Sequence, residues 1–163
     1  MLEVKSVQSV IDYISYLEKS YLIFTVPNFS YSYKQQQVNP KKAYSIDNGL
    51  SYNNSVSFSK DKGKMLENEV FLGLRRKYKD IFYFQKKNEC DFIIKEKDRI
   101  TGAIQVCYDF NEETKEREIN GLLAALNEFN LKEGLILTHN QEDKFLIKGK
   151  KITIKPTWKW LLE

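Results

Sequence analysis

One acid in this chain stands where ordinary packing would not place it. Read as a helix, Gly63 to Tyr78 sets Val70, Phe71, Leu74 and Tyr78 on a single apolar stripe, and Glu67 falls on that stripe. An unpaired carboxylate turned toward a core is expensive, so Glu67 calls for a cation or a hydrogen-bonded site. The segments that follow offer one. Asp80 to Gln85, Glu89 to Lys95 and Thr101 to Asp109 are short, rich in aromatic and aliphatic residues, and separated by polar turns, which predicts three consecutive strands. Strand side chains alternate between faces. Glu89 and Asp91 therefore share one face of the second strand, and Gln105, Cys107 and Asp109 one face of the third.

A candidate cation comes next. Glu112 to about Asn130 predicts a regular helix with a buried stripe of Ile119, Leu122, Leu123, Leu126 and Phe129, and Glu112 and Glu113 favour its N-terminus through the helix dipole. Lys115 lies one turn before Ile119 on that stripe, within reach of the strand ends near Gln105 and Asp109. A lysine that snorkels from the first turn of a helix is the competing reading.

The elements around this centre are legible by period and punctuation. Ser9 is a candidate cap for a helix to about Lys19, with Val10, Tyr13, Ile14, Leu17 and Tyr21 as its stripe. Tyr21 to Val26 predicts a strand stopped by Pro27 and Asn28. A strand pair is expected around Phe29 to Tyr33 and Lys41 to Ile46, closed by the turn signal of Asp47, Asn48 and Gly49. Helix, strand and hairpin in that order are what remains of a winged helix without its first helices. Tyr31, Tyr33, Tyr44 and Tyr52, with Lys34, Lys41 and Lys42, either form an aromatic and basic surface for DNA or pack and solvate a hairpin. After the second predicted helix, Glu133 to Thr138 predicts a buried strand in parallel pairing, because its apolar run is continuous. Phe145 to Ile147 and Ile152 to Ile154 follow as short strands. Pro156 opens a last helix whose Trp158 and Trp160 are expected to seal the core. The expected division is a small N-terminal unit over residues 1–50, a linker over 51–62 and an α/β domain over 63–163.

Composition narrows the function classes. With 163 residues the chain has room for one ordinary domain and a sizeable core, and 42% hydrophobic content says that it folds. A formal net charge of +4, from 26 basic against 22 acidic residues, permits nucleic-acid contact without demanding it. Two cysteines and one histidine give no zinc-site spacing, and Cys90 and Cys107 fit an intracellular thiol pair better than a disulfide framework. There is no membrane-length apolar run and no leader pattern at the N-terminus, so the expected location is cytoplasmic.

The order helix, three strands, helix, strand is that of the restriction-endonuclease-like core, and the residues resemble the PD-(D/E)xK nuclease superfamily. Glu67 matches the acid of the first helix and Asp91 the aspartate of the second strand, while Gln105, Val106 and Cys107 occupy the acid-x-lysine position. A closer resemblance covers nearly the whole chain. Asn39 to Leu50, Leu66 to Phe71, Glu89 to Phe92, Gln105 to Asp109, Glu113 to Ile119 and the closing Pro156 to Leu162 are similar to the C-terminal region of a bacterial and archaeal AAA+ superfamily ATPase family. In that family an ATPase module and a winged helix precede a restriction-endonuclease-like domain of uncharacterised function.

Two departures limit what the resemblance implies. No Gly-x-x-x-x-Gly-Lys-Ser/Thr is present, so nucleotide binding would fall to an ATPase module of the same protein. The nuclease motif has also lost an acid at Gln105 and the lysine at Cys107, which weakens a site for a hard cation such as magnesium. The resemblance implies Glu67, Asp91, Gln105 and Lys115 as the catalytic set, with Asp91 and Gln105 as metal ligands. Lys34, Lys41, Lys42 and Arg117 are the candidate DNA contacts. Three readings stand: a non-catalytic module that binds DNA or a partner protein around a degraded nuclease core, a magnesium-dependent DNA nuclease, and a structural lid for its own ATPase domain.

Overall fold

The computed structural model describes residues 6–54 and 62–163. It is a mixed α/β structure. A helix α1 (Val7–Lys19) leads into β1 (Ile23–Pro27), α2 (Tyr33–Val38), β2 (Lys41–Ser45) and α3 (Asn48–Asn54). Then come α4 (Lys62–Lys77), β3 (Asp80–Gln85), β4 (Glu89–Glu96), β5 (Arg99–Cys107), α5 (Glu112–Glu128), β6 (Glu133–Thr138), β7 (Asp143–Ile147), β8 (Lys150–Pro156) and α6 (Thr157–Leu161).

The larger sheet has six strands in the order β3-β4-β5-β6-β8-β7. β3, β4 and β5 form an antiparallel meander, α5 then carries the chain to β6, and β6 pairs in parallel with both β5 and β8. Both faces of the sheet are covered, which is why β4 and β6 read as continuous apolar runs. Ile93, Ala103, Ile136 and Ile152 pack under Leu122, Ala125 and Leu126 of α5. On the opposite face Phe92, Ile94, Ile104 and Leu137 meet Val70, Phe71 and Leu74 of α4 together with Trp160. Trp160 seals that core as expected, whereas Trp158 is more than half exposed.

Three N-terminal expectations are corrected. The segment expected as a strand at Phe29 to Tyr33 is irregular up to Ser32, which caps α2 with an Oγ that accepts from the Gln35 N–H. β2 pairs with β1, antiparallel, in the register Phe24 to Tyr44. The Asp47-Asn48-Gly49 signal is a helix start: the Asp47 carboxylate accepts from the Leu50 N–H at 2.9 Å. The same turn chemistry that closes hairpins also caps helices, and the sequence does not distinguish them. The cap of α1 is Ser6, three residues before the serine expected. Of the expected linker, residues 55–61 and the side chain of Tyr52 lie outside the described residues, and Ser51 belongs to α3.

The β1–β2 hairpin shares its core with the larger sheet. Phe24, Val26 and Tyr44 pack with Phe71 and Phe92, and the Tyr44 ring stacks on Phe71 with centroids 4.4 Å apart. The hairpin end is also pinned to the edge of β3: Phe29 N–H donates to the Tyr83 carbonyl at 2.8 Å, and Tyr83 Oη to the Pro40 carbonyl at 2.7 Å. These contacts fix the position of β2 relative to α4 and β4. No helix among the described residues is long and apolar enough to cross a membrane.

α5 approaches β4 more closely than a side chain allows. A Cβ at Gly121 would lie 2.1 Å from the Glu89 carbonyl oxygen, a backbone atom that cannot move aside alone. Gly121→Ala should therefore cost about 3 kcal/mol, the upper end of the usual overpacking range. A denaturation midpoint equal to that of the unaltered protein would show that helix and strand separate freely.

Candidate functional site

Three carboxylates converge on one ammonium. Lys42 Nζ lies 3.0 Å from Glu67 Oε1, 2.7 Å from Glu89 Oε1 and 2.8 Å from Asp91 Oδ1. The ammonium donates hydrogen bonds to Glu67 and Asp91 and forms an ion pair with Glu89. The four members arrive from three elements: Lys42 from β2, Glu67 from the apolar stripe of α4, Glu89 and Asp91 from alternate positions on β4. Tyr44 shares the inward face of β2 with Lys42, and its hydroxyl donates to the same Glu67 oxygen at 2.7 Å.

Asp91 and Gln105 sit where two strands part. The β4–β5 ladder runs down to Phe92 opposite Ile104, and beyond that pair the side chains take over its hydrogen bonds. Asp91 Oδ2 accepts from the Val106 N–H at 2.9 Å, and Gln105 Oε1 accepts from the Asp91 N–H at 3.2 Å. Gln105 Nε2 then donates to Glu118 Oε2 at 2.6 Å, and Arg117 Nε to Glu118 Oε1 at 2.9 Å. Glu118 is buried while the Arg117 side chain is 79% exposed, so the network runs from the interior to the surface through this pair. An open cavity of about 760 Å³ lies over this network, with Lys64, Lys87, Asp109 and Arg117 among its walls.

The electrostatics follow from burial and the 3:1 ratio of acids to base. For Asp91, burial first and the Glu67 charge second push the carboxyl from its ordinary 3.8 up to about 6, against the pull of Lys42. For Lys42, burial opposes the charge but is outweighed by Asp91 and then Glu67, and its pKa is raised. Burial, then the Glu67 charge, holds the Tyr44 phenol well above its usual value, which keeps it a donor.

The expected site residues divide. Glu67, Asp91 and Gln105 lie in one network, as their spacing suggests, and Glu89 joins them. Lys115 does not reach it. α5 begins beyond the end of β5, so its first turn overhangs a separate cavity with Gln141 and Phe145. There Lys115 Nζ lies 3.7 Å from Glu112 Oε1 and 5.6 Å from the Phe145 ring centroid. Lys42, expected as a DNA contact, is turned inward, whereas Lys34 and Lys41 are exposed. Tyr31 and Tyr33 are also exposed, and Cys107 is a buried thiol bonded to the Asp109 carbonyl. One signal for Lys42 is in the sequence: a period of two sets it on the face of Tyr44, a lysine on the aromatic side of a strand. Asn68 carried no such signal. Its side-chain oxygen accepts from the Ser45 N–H at 2.8 Å and its amide donates to the Ser45 carbonyl at 3.1 Å, which clamps β2 to α4.

The donor set does not fit a resident divalent cation. The position between the three carboxylates is filled by the Lys42 ammonium, and the Gln105 oxygen is engaged by a peptide N–H.

Among known proteins, a family model described as a domain of unknown function (DUF8612) matches residues 3–60. The chain is also 41% identical over 169 residues to the uncharacterized protein MJ1544 of Methanocaldococcus jannaschii, a match over 95% of this chain and 36% of that protein. The chain thus spans about a third of the length of this relative. No solved structure matches the chain.

Removal of the ammonium leaves three carboxylates facing one another. Lys42→Met should cost roughly 3–5 kcal/mol at pH 8, the usual penalty for breaking a buried ion pair from one side. The sign with pH is set by Asp91. Its raised pKa contributes stability that is full below 3.8 and lost as pH rises through about 6, and loss of Lys42 raises that pKa further. The deficit of the variant should therefore shrink as pH falls from 8 toward 4. Equal deficits at both pH values in chemical denaturation would rule out charge as the cause. In the unaltered protein, the Lys42 contribution should persist below pH 10.5 and fade above it.

Proposed function

We propose that this chain is a non-catalytic DNA-binding module with a degraded restriction-endonuclease-like core. Lys42 supplies in it the positive charge that a divalent cation supplies in an active PD-(D/E)xK site. One observation carries the proposal: the ammonium takes all three carboxylates that a metal would need. In this reading the meander β3-β4-β5, the crossover α5 and strand β6 are the nuclease-like core, and α1 with the β1–β2 hairpin is a winged-helix remnant. The module acts beside an ATPase module of the AAA+ kind. Exposed Lys34, Lys41 and Arg117 supply phosphate contacts, and the net charge of +4 favours the encounter.

The magnesium-dependent nuclease is the second reading. It requires Lys42, now 2.8 Å from Asp91, to withdraw from the carboxylates so that the ion can enter, and then to serve as the ammonium lost at Cys107.

Two measurements separate these readings. DNA retention by the unaltered chain should weaken steeply with salt, with a logarithmic slope of roughly 0.9 per phosphate contact, and should not require magnesium. Lys34→Glu with Lys41→Glu should reduce both affinity and slope. Manganese in the millimolar range should leave the melting temperature of the unaltered protein unchanged but raise that of Lys42→Met, whose three carboxylates are then available to a cation. Metal-dependent cleavage of labelled DNA that disappears in Asp91→Asn would instead establish the nuclease.

A further inference from the structure

Three strands of the larger sheet end side by side in aromatic residues. β5, β6 and β8 run parallel, with Cys107, Thr138 and Pro156 in register at their carboxyl ends. The chain leaves β5 through Tyr108, β6 through His139, and β8 through Thr157 into Trp158. The Tyr108 and His139 rings stack 4.7 Å apart at an angle of 11°, and the His139 N–H donates to the Tyr108 carbonyl at 3.2 Å. Trp158 Nε1 donates to the side chain of Asn140, the neighbour of His139, at 3.4 Å. None of the three rings belongs to the buried core. His139 is exposed, Tyr108 half-buried and Trp158 56% exposed. Two residues turn a helix by about 200°, so α6 seals the core with Trp160 and holds Trp158 out to solvent.

Cations flank this row. Lys62 Nζ lies 5.4 Å from the centroid of the Tyr108 ring, and Tyr108 also walls the cavity over the carboxylate cage together with Lys64, Lys87 and Arg117. The nearby acids are engaged: Glu142 accepts from Lys159 Nζ at 2.8 Å, and Asp109 from Asn111 Nδ2 at 3.3 Å. Exposed rings beside cations match a single nucleic-acid strand, whose unpaired bases present π-faces and whose phosphates need positive charge. In a duplex those faces are covered by the neighbouring base pairs. We propose that Tyr108, His139 and Trp158 form a stacking platform for the unpaired bases of single-stranded DNA, with Lys62 and Arg117 beside its phosphates. The platform rests on the reading of the chain as a DNA-binding module, and adds to it the strand state of the DNA and the face that holds it.

Trp158 reports on its own occupancy, because Trp160 is buried. An oligothymidylate of about twelve nucleotides should quench the tryptophan emission of the unaltered chain, and Trp158→Phe should bind the same strand without that quenching. Trp158→Ala and His139→Ala should each weaken binding of the labelled strand roughly tenfold, toward the low end of what one stacked base contributes. Both should leave a duplex of equal length bound as before, since Lys34 and Lys41 lie on other elements. A duplex that binds while the single strand leaves the emission unchanged would overturn the platform and spare the DNA-binding module. So would a single-strand affinity that neither alanine variant lowers. Binding of neither form of DNA would overturn both.

Discussion

The ammonium of Lys42 is the charge on which this architecture depends. Glu67, Glu89 and Asp91 approach a single point, and without a cation their mutual repulsion in a half-buried setting would drive α4, β4 and the hairpin apart. With the lysine present, one side chain joins the N-terminal hairpin, the first core helix and the central meander. The Tyr44 hydroxyl and the Asn68 amide reinforce the same junction with hydrogen bonds.

This junction also explains why the polar groups lie where they do. β4 and β5 part beyond Phe92 and Ile104, which frees two peptide N–H groups that the sheet no longer satisfies. Asp91 and Gln105 accept from those groups, so each serves both as a ladder substitute and as a link in the polar network. The close approach at Gly121 sets α5 against the Glu89 carbonyl and brings Glu118 under Gln105. Backbone separation on one side and backbone proximity on the other create the cavity and its lining together.

In the reading proposed above, the arrangement serves to hold a partner rather than to turn over a substrate. The Lys42 ammonium fills the carboxylate cage, which keeps an excess of acids, and the exposed basic residues lie outside it. A fold whose inner site is filled and whose surface carries cations and exposed aromatic rings is suited to holding partners in place.

The sequence by itself determined the elements of the core and the anomaly of Glu67. Period and punctuation place α4, the three meander strands, α5 and β6 because both faces of the sheet are buried, and burial leaves a strong apolar signature. The N-terminal region was less legible: a segment with alternating tyrosines is irregular and leads into α2, and a hairpin turn signal became the start of α3, since the same residues serve both purposes. Which cation answers Glu67 was decided only by tertiary structure. Lys115 has the right sequence offset and Lys42 lies 25 residues away, yet the hairpin's packing on Phe71 and Phe92 brings Lys42 inward while the overhang of α5 carries Lys115 away. Local spacing fixes the face on which a side chain lies; only the packing of separate elements fixes what it meets there.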